Sequence, residues 1–373
     1  MFGRRIELFQ LFGIPIRLDL SWFVIAVLIV WSLATGVFPQ LEPNLTPRAY
    51  WAMGVTGALG LFASIVVHEF FHAWVARRHA IPMQGITLFI FGGVAEMGAE
   101  PPSPKAEFRM AVAGPLASVA IGVVALGLGQ LSAGWSPMIR GVLGYLGLIN
   151  LALAGFNLIP AFPLDGGRIL RSALWHWKRD LRRATAVATR VGTTFSVLLM
   201  VLGGVRVLLG DFVGGMWSLL IGMFLRQAAE SAYQQLLVRQ ALEGEPVRRF
   251  MTEDPVTLPS GLTLGDAVDR YFYRYHHHSF PVRDNGRLLG CLSTAELKQV
   301  PREEWGRRTV GSLVVPCGAD NTVRPDADAF EALALMRRTG RPRLLVVDDG
   351  RLMGLVTLKD LLEFFALKVE LEA

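Results

Sequence analysis

Apolar residues are spread unevenly along this chain. Up to about Leu237 they form long runs separated by short polar stretches; beyond that point Arg, Glu and Asp rise and the runs stop. A spanning helix needs roughly 20 apolar residues. Six segments meet that need, at residues 20–38, 50–76, 108–131, 139–159, 187–209 and 212–225, and the last two read as a helical hairpin turning at Gly210-Asp211. Between the second and third runs, the core Ile86-Thr87-Leu88-Phe89-Ile90-Phe91-Gly92-Gly93-Val94 of residues 82–100 is too short to cross and rich in β-formers, which predicts a membrane-associated β-hairpin. Bare backbone is costly in lipid, so such a hairpin must be covered by protein or line a wet cavity.

The polar tail repeats itself. Phe280-Pro281-Val282 through Asn285-Gly286-Arg287-Leu288-Leu289-Gly290 is echoed, about 65 residues on, by Leu345-Val346-Val347 through Asp349-Gly350-Arg351-Leu352-Met353-Gly354. A helical segment (263–275, then 327–338) precedes each hairpin and another helix follows it, a paired α+β module. The expected division is a membrane domain at 1–242 and two repeats at 243–304 and 305–373.

Composition narrows the class. With 52% hydrophobic and 18% charged residues, the chain fits an α-helical polytopic membrane protein rather than a soluble one. Its net charge of +6 sits mostly beside apolar runs, as topology charge and not as a nucleic-acid stripe, so no nucleic-acid partner is expected. Arg4, Arg5, Arg17, Arg77, Arg78, Lys105, Arg109 and a basic cluster that begins at Arg168 and includes Arg171 fall on one face, against Arg48 and Arg140 on the other. The positive-inside rule then puts both termini and the tail in the cytoplasm, in a multi-pass protein of the cell membrane. Cys291 and Cys317 both lie in the tail and read as reduced thiols. No cleavable signal is evident.

The chemistry centres on His68-Glu69-Phe70-Phe71-His72. On a helix, positions i and i+4 share a face, so both imidazoles can bind one zinc ion while Glu69 activates water. H-E-x-x-H occurs by chance on many helices. Three ionisable side chains within about one turn of a spanning helix are expensive in lipid, however, and point to a functional site. A catalytic zinc usually takes a third protein ligand. Asp165 is the best candidate: Pro160 and Pro163 break the helix ahead of it and turn it towards the cytosolic end of the second run.

HEFFH, together with Asn157-Leu158-Ile159-Pro160-Ala161-Phe162-Pro163-Leu164-Asp165-Gly166, resembles the site-2 protease family of intramembrane zinc metalloproteases. The resemblance implies one zinc on His68, His72 and Asp165, with Glu69 as the base. It also implies that Asn157 contacts substrate or the developing oxyanion, a position that reads equally well as a polar bridge between helices. The hairpin with Gly92 and Gly93 is similar to the family's β element, where an unwound substrate could add as a strand. Gly114-Pro115 also matches the family and reads as packing. The tail is similar to paired CBS domains, with Ser293, Glu296, Thr357 and Asp360 at positions that can touch an adenine nucleotide. Such pairs also serve as dimerisation modules, so a homodimer is a further expectation.

By family analogy the substrate is a single-span tethered regulator, such as an anti-sigma factor, whose helix unwinds before cleavage in regulated intramembrane proteolysis, with the CBS pair as control module. A transporter gated by that pair is the first rival, but no second copy of either motif exists. A silent scaffold with intact motifs is the second. His276, His277 and His278 cannot all face one ion. His79 and His176 read as headgroup-level anchors, and Glu96 and Glu100 as solvated.

Overall fold

The computed structural model describes residues 5–131, 134 and 136–372. Arg4 and the outermost residues of the expected domains, 1–3 and 373, lie outside the described residues. The chain separates into two compact units that divide after Gln234.

In the first unit each apolar run holds a helix long and apolar enough to cross a membrane. The span Ser21–Leu41 comprises α1 (Ser21–Ser32), a π turn (Leu33–Val37) and α2 (Phe38–Leu41). Then come α3 (Pro47–Arg78), α4 (Pro104–Leu131), α5 (Pro137–Asn157), the shorter α6 (Asp165–Lys178), α7 (Leu181–Leu208) and α8 (Phe212–Leu242). The ends follow local chemistry. Thr46 accepts the Ala49 N–H at 3.3 Å, and Pro47 occupies the first turn, where its missing N–H costs nothing. α7 starts earlier than its apolar run because Asp180 caps a polar first turn by accepting the Arg183 N–H at 3.0 Å. α8 outruns its apolar stretch because neither Gly nor Pro interrupts it after Gly222 until Gly244.

α4 packs against α3, α5 and α6. It buries Ala106, Met110, Gly114, Ala117 and Ser118, and leaves Phe108, Leu116 and Val123 exposed. Small residues inside and large apolar ones outside suit a helix that approaches its neighbours closely while facing lipid.

The apolar runs gave no sign of an N-terminal hairpin. β1 (Arg5–Leu11) pairs antiparallel with β2 (Ile14–Asp19); β2 runs parallel to β3 (Met83–Phe89), which pairs antiparallel with β4 (Gly92–Met97). The predicted hairpin is therefore half of a four-stranded sheet ordered β1-β2-β3-β4. Ile14 and Ile16 of β2 and Ile86 of β3 pack against Ala73 of α3, which ties the register to that helix. Arg5 and Arg17 are therefore more than topology charges: they lie 2.8 and 3.8 Å from Glu96 carboxylate oxygens. The Glu96 side chain is only 17% exposed, so it is paired, not solvated.

The second unit has two similar halves. Strands Ser279–Asp284 and Arg287–Ser293 form one hairpin; Arg343–Asp348 and Arg351–Thr357 form the other. Each half lends an edge strand to the other's sheet: Thr252–Glu253 pairs with Arg351–Thr357, and Val315–Pro316 with Arg287–Ser293. Phe280, Val282 and Leu292 are buried in one core, Leu344, Val346 and Val356 in the other, which also holds Val238 and Leu242.

Candidate metal centre

α3 carries His68 and His72 one turn apart on its buried side, with their Nε2 atoms 3.1 Å apart. Asp165 is the first residue of α6, where the helix dipole favours a carboxylate. Its Oδ2 lies 3.1 Å from His68 Nε2 and 3.2 Å from His72 Nε2. Among the described residues, this trio is the group whose ligand atoms converge closely enough to hold a metal.

The donors themselves test the fit. His72 Nδ1 is 2.7 Å from the Met110 carbonyl oxygen, which can only accept, so Nδ1 donates there and Nε2 is the nitrogen left to face a metal. His68 Nδ1 meets Ser118 Oγ at 2.9 Å. Two imidazole nitrogens and a carboxylate oxygen thus face one another, an arrangement that a cation resolves. Their spacing is close to the roughly 3.3 Å between ligands of a tetrahedral zinc with arms of about 2.0–2.1 Å. A Cβ on Gly114 would fall 2.6 Å from His68 Nε2 and nearer still to His72 Nε2, so glycine keeps that space open. These residues fit a zinc ion.

Met110, Gly114 and Ser118 recur every fourth residue along α4 and share a face. That stripe orients both rings and leaves room between them. Sequence reasoning took Gly114 as packing and missed Ser118; the four-residue spacing of small residues was the available signal.

Glu69 is half-buried, and its Oε2 accepts the Ala95 N–H of β4 at 3.1 Å. A Cβ on Gly93 would stand 2.8 Å from Glu69 Cγ and 2.9 Å from Ile65 Cγ2, so β4 lies directly against this turn of α3. Gly92 has open space around it. Asn157 closes α5 and is half-buried.

A further group joins the site's two supports. Arg171 of α6 has its side chain 4% exposed, pairs with the fully buried Glu107 of α4, and lies 3.2 Å from Glu100. Burial works against its charge, but Glu107 and Glu100 outweigh burial and hold its pKa above the usual range. Its guanidinium carbon is 5.2 Å from the Phe162 ring centre. Arg171 is thus more than a topology charge, and Glu100, read as solvated, is partly exposed and pairs with it.

In the tail, Ser293 and Glu296 form a reciprocal capping box, the Glu296 carboxylate accepting the Ser293 N–H at 2.9 Å. Asp360 accepts the Thr357 N–H at 2.9 Å and its hydroxyl at 2.7 Å. Each pair sits where a helix follows its hairpin. His276, His277 and His278 are exposed.

The family model of peptidase family M50 matches residues 56–140 and 130–200, and the CBS domain model matches 247–302 and 316–367. The chain is similar to Rip3 of Mycobacterium tuberculosis, named as a zinc metalloprotease, at 34% identity over 359 residues, 95% of this chain and 91% of that protein. It is 30% identical over 361 residues to zinc metalloprotease MJ0392 of Methanocaldococcus jannaschii, covering 96% and 95% of the two chains. The solved site-2 protease from Methanocaldococcus jannaschii is 32% identical, with 61% of this chain and 94% of that one covered and a TM-score of 0.43.

Proposed function

The chain belongs to peptidase family M50, the site-2 proteases, as a membrane zinc metalloprotease with a CBS pair, and from that premise we propose that it hydrolyses peptide bonds within or near the spanning segments of membrane-tethered regulatory proteins. The observation that carries this reading is the convergence of the His68, His72 and Asp165 ligand atoms over Gly114, with Glu69 on the same turn.

In this reading His68, His72 and Asp165 hold zinc, their orientation set by Ser118, Met110 and the start of α6. When bound, the ion supplies a Lewis acid for the scissile carbonyl and lowers the pKa of water to about 7. Glu69 would serve as the base that takes a proton from the attacking water and as the acid that returns it to the leaving amine. The edge of β4 at Gly92 and Gly93 takes an unwound substrate as an added strand, which satisfies backbone groups that a local break in a spanning helix would leave bare. Asn157 is the proposed contact to substrate. A single-span regulator such as an anti-sigma factor is the proposed substrate class, in regulated intramembrane proteolysis.

The proposed orientation places both termini and the CBS pair in the cytoplasm, on the side of Arg77, Arg78, Lys105, Arg109 and the basic residues from Arg168 onward. Labelling of Cys317 by a membrane-impermeant maleimide tests it: reaction is expected only after the cells are permeabilised, and equal labelling of intact cells overturns it. Residues 1–242 form the proposed protease domain, 243–304 and 305–373 the repeats. Regulation by an adenine nucleotide at Ser293, Glu296, Thr357 and Asp360, and homodimerisation through the pair, complete the proposal. Calorimetry with ATP, ADP and AMP should give saturable heat, and no heat with any of them sinks the nucleotide role.

The central test is Glu69→Gln. The variant is expected to bind zinc like the wild type and to lose cleavage of a membrane-tethered substrate; full cleavage overturns the role of Glu69. Loss of zinc in Asp165→Ala is the separate expectation for the third ligand.

A further inference from the structure

β4 is an edge strand, and its pairing with β3 determines which of its peptide groups are free. Phe89 and Gly92 close a two-residue turn, and Thr87 faces Val94. In an antiparallel ladder, such hydrogen-bonded pairs alternate with pairs whose peptide groups point away from the partner. Leu88–Gly93 and Ile86–Ala95 are the alternating pairs. Gly93 and Ala95 therefore turn their N–H and C=O groups to the open side. The contact with Glu69 agrees, because the Ala95 N–H donates to its carboxylate at 3.1 Å rather than to β3.

A strand added to this edge would meet the Gly93 N–H, the Gly93 C=O and the Ala95 C=O. At the fourth place, the Ala95 N–H, it would meet Glu69. Resting on the strand-addition reading above, we propose that this occupied place sets the cleavage register: the substrate carbonyl that ladder pairing would put on the Ala95 N–H is turned out of the ladder by Glu69, and it is the carbonyl of the scissile bond.

The physical case has two parts. A carbonyl held by a β4 N–H cannot also turn to the metal ligands, and of the substrate carbonyls that face β4 at Gly93 and Ala95, the one opposite Ala95 is left unheld. That place must also lie next to the base, and Glu69 itself fills it. The flanking groups on Gly93 and Ala95 hold the strand while leaving this carbonyl free. The Ala95 N–H also orients the Glu69 carboxylate, which makes Ala95 a positioning residue. Gly93 permits the approach, since a Cβ there would meet Glu69 Cγ and Ile65.

The experiment uses the full-length chain with Glu69→Gln, Cys291→Ser, Cys317→Ser and Val94→Cys. A single cysteine is walked along a single-span substrate whose cleavage site the active protein has mapped. Disulfide trapping is expected to peak within about one residue of the scissile bond, since neighbouring strands align residue by residue. A sharp peak three or more residues away overturns the register and leaves strand addition standing. No peak at any position overturns both, while Glu69→Gln cleavage assays judge the protease reading separately. A second pair of variants isolates the N–H, because an edge strand tolerates proline but proline cannot donate. Ala95→Pro is expected to retain zinc and lose about tenfold or more in kcat with little change in KM, while Ala95→Gly, which keeps the donor, is expected to lose less than Ala95→Pro. Wild-type kcat in the zinc-loaded Ala95→Pro variant overturns the positioning role.

Discussion

The His68 ring nitrogen Nδ1 lies 2.9 Å from the hydroxyl oxygen of Ser118, a residue with no solvent exposure on the neighbouring helix. Partners of this kind fix the orientation of a ligating imidazole, and their loss typically costs about 10–100-fold in metal affinity. Ser118→Ala removes the partner and little volume. The variant is expected to stay folded and to yield zinc to a competing chelator at correspondingly lower chelator concentration. Unchanged competition would show that packing alone aims the ring.

Gly114→Ala makes a sharper prediction. The added methyl would stand 2.6 Å from His68 Nε2 and closer to His72 Nε2, in the space between the ligand atoms. Zinc content is expected to fall to background in the purified variant, and cleavage with it. Because the methyl enters a polar gap rather than a packed core, the thermal unfolding temperature should drop less than in Met110→Ala, which opens a cavity worth about 2–5 kcal/mol. A zinc-replete Gly114→Ala protein would remove Gly114 from the site.

The parts legible in sequence were those with a long apolar period or a dense motif. The spans, the 82–100 hairpin, the tail repeat and the convergence of His68, His72 and Asp165 all belong to this class. β1 and β2 were not legible, because residues 5–19 mix charged and apolar residues without a long run, and Arg17 resembles a topology charge until Glu96 arrives from β4. Arg171 was hidden for a related reason: among neighbouring cations, nothing local marks the one that faces Glu107 across two helices. Ser118 lies 50 residues from the ring it touches. Only the stripe Met110, Gly114, Ser118 carried a local trace of that contact.

The two tail thiols should be slow nucleophiles. Burial pushes the pKa of Cys291 up, and burial does the same at Cys317, which is the more exposed of the two. Since the thiolate is the reactive form, a raised pKa lowers its fraction at neutral pH. Alkylation by iodoacetamide at pH 8 is expected to run slower at both than for a free cysteine, slowest at Cys291, and to keep rising past about pH 9. Fast labelling of Cys291 at pH 7 would contradict its burial.

The Arg171–Glu107 pair yields the last prediction, on stability and site geometry together. Both side chains are nearly or fully buried, one on the helix that starts with Asp165 and the other on the helix that carries Met110, Gly114 and Ser118. Removing one partner of a buried pair strands the other charge and costs about 3–5 kcal/mol, whereas replacing both with apolar residues of similar size is far milder. Arg171→Met and Glu107→Leu should each lower the unfolding temperature in detergent sharply, and the double variant should recover most of the loss. If the pair serves only stability, the double variant will also recover zinc affinity. If it aligns α6 with α4, the double variant will be stable yet bind zinc more weakly than the wild type, because Phe162 and Glu100 lose the guanidinium that ties the approach to Asp165. The second outcome is expected, since Arg171 makes contacts on both sides of that approach, and Glu107 makes one of them.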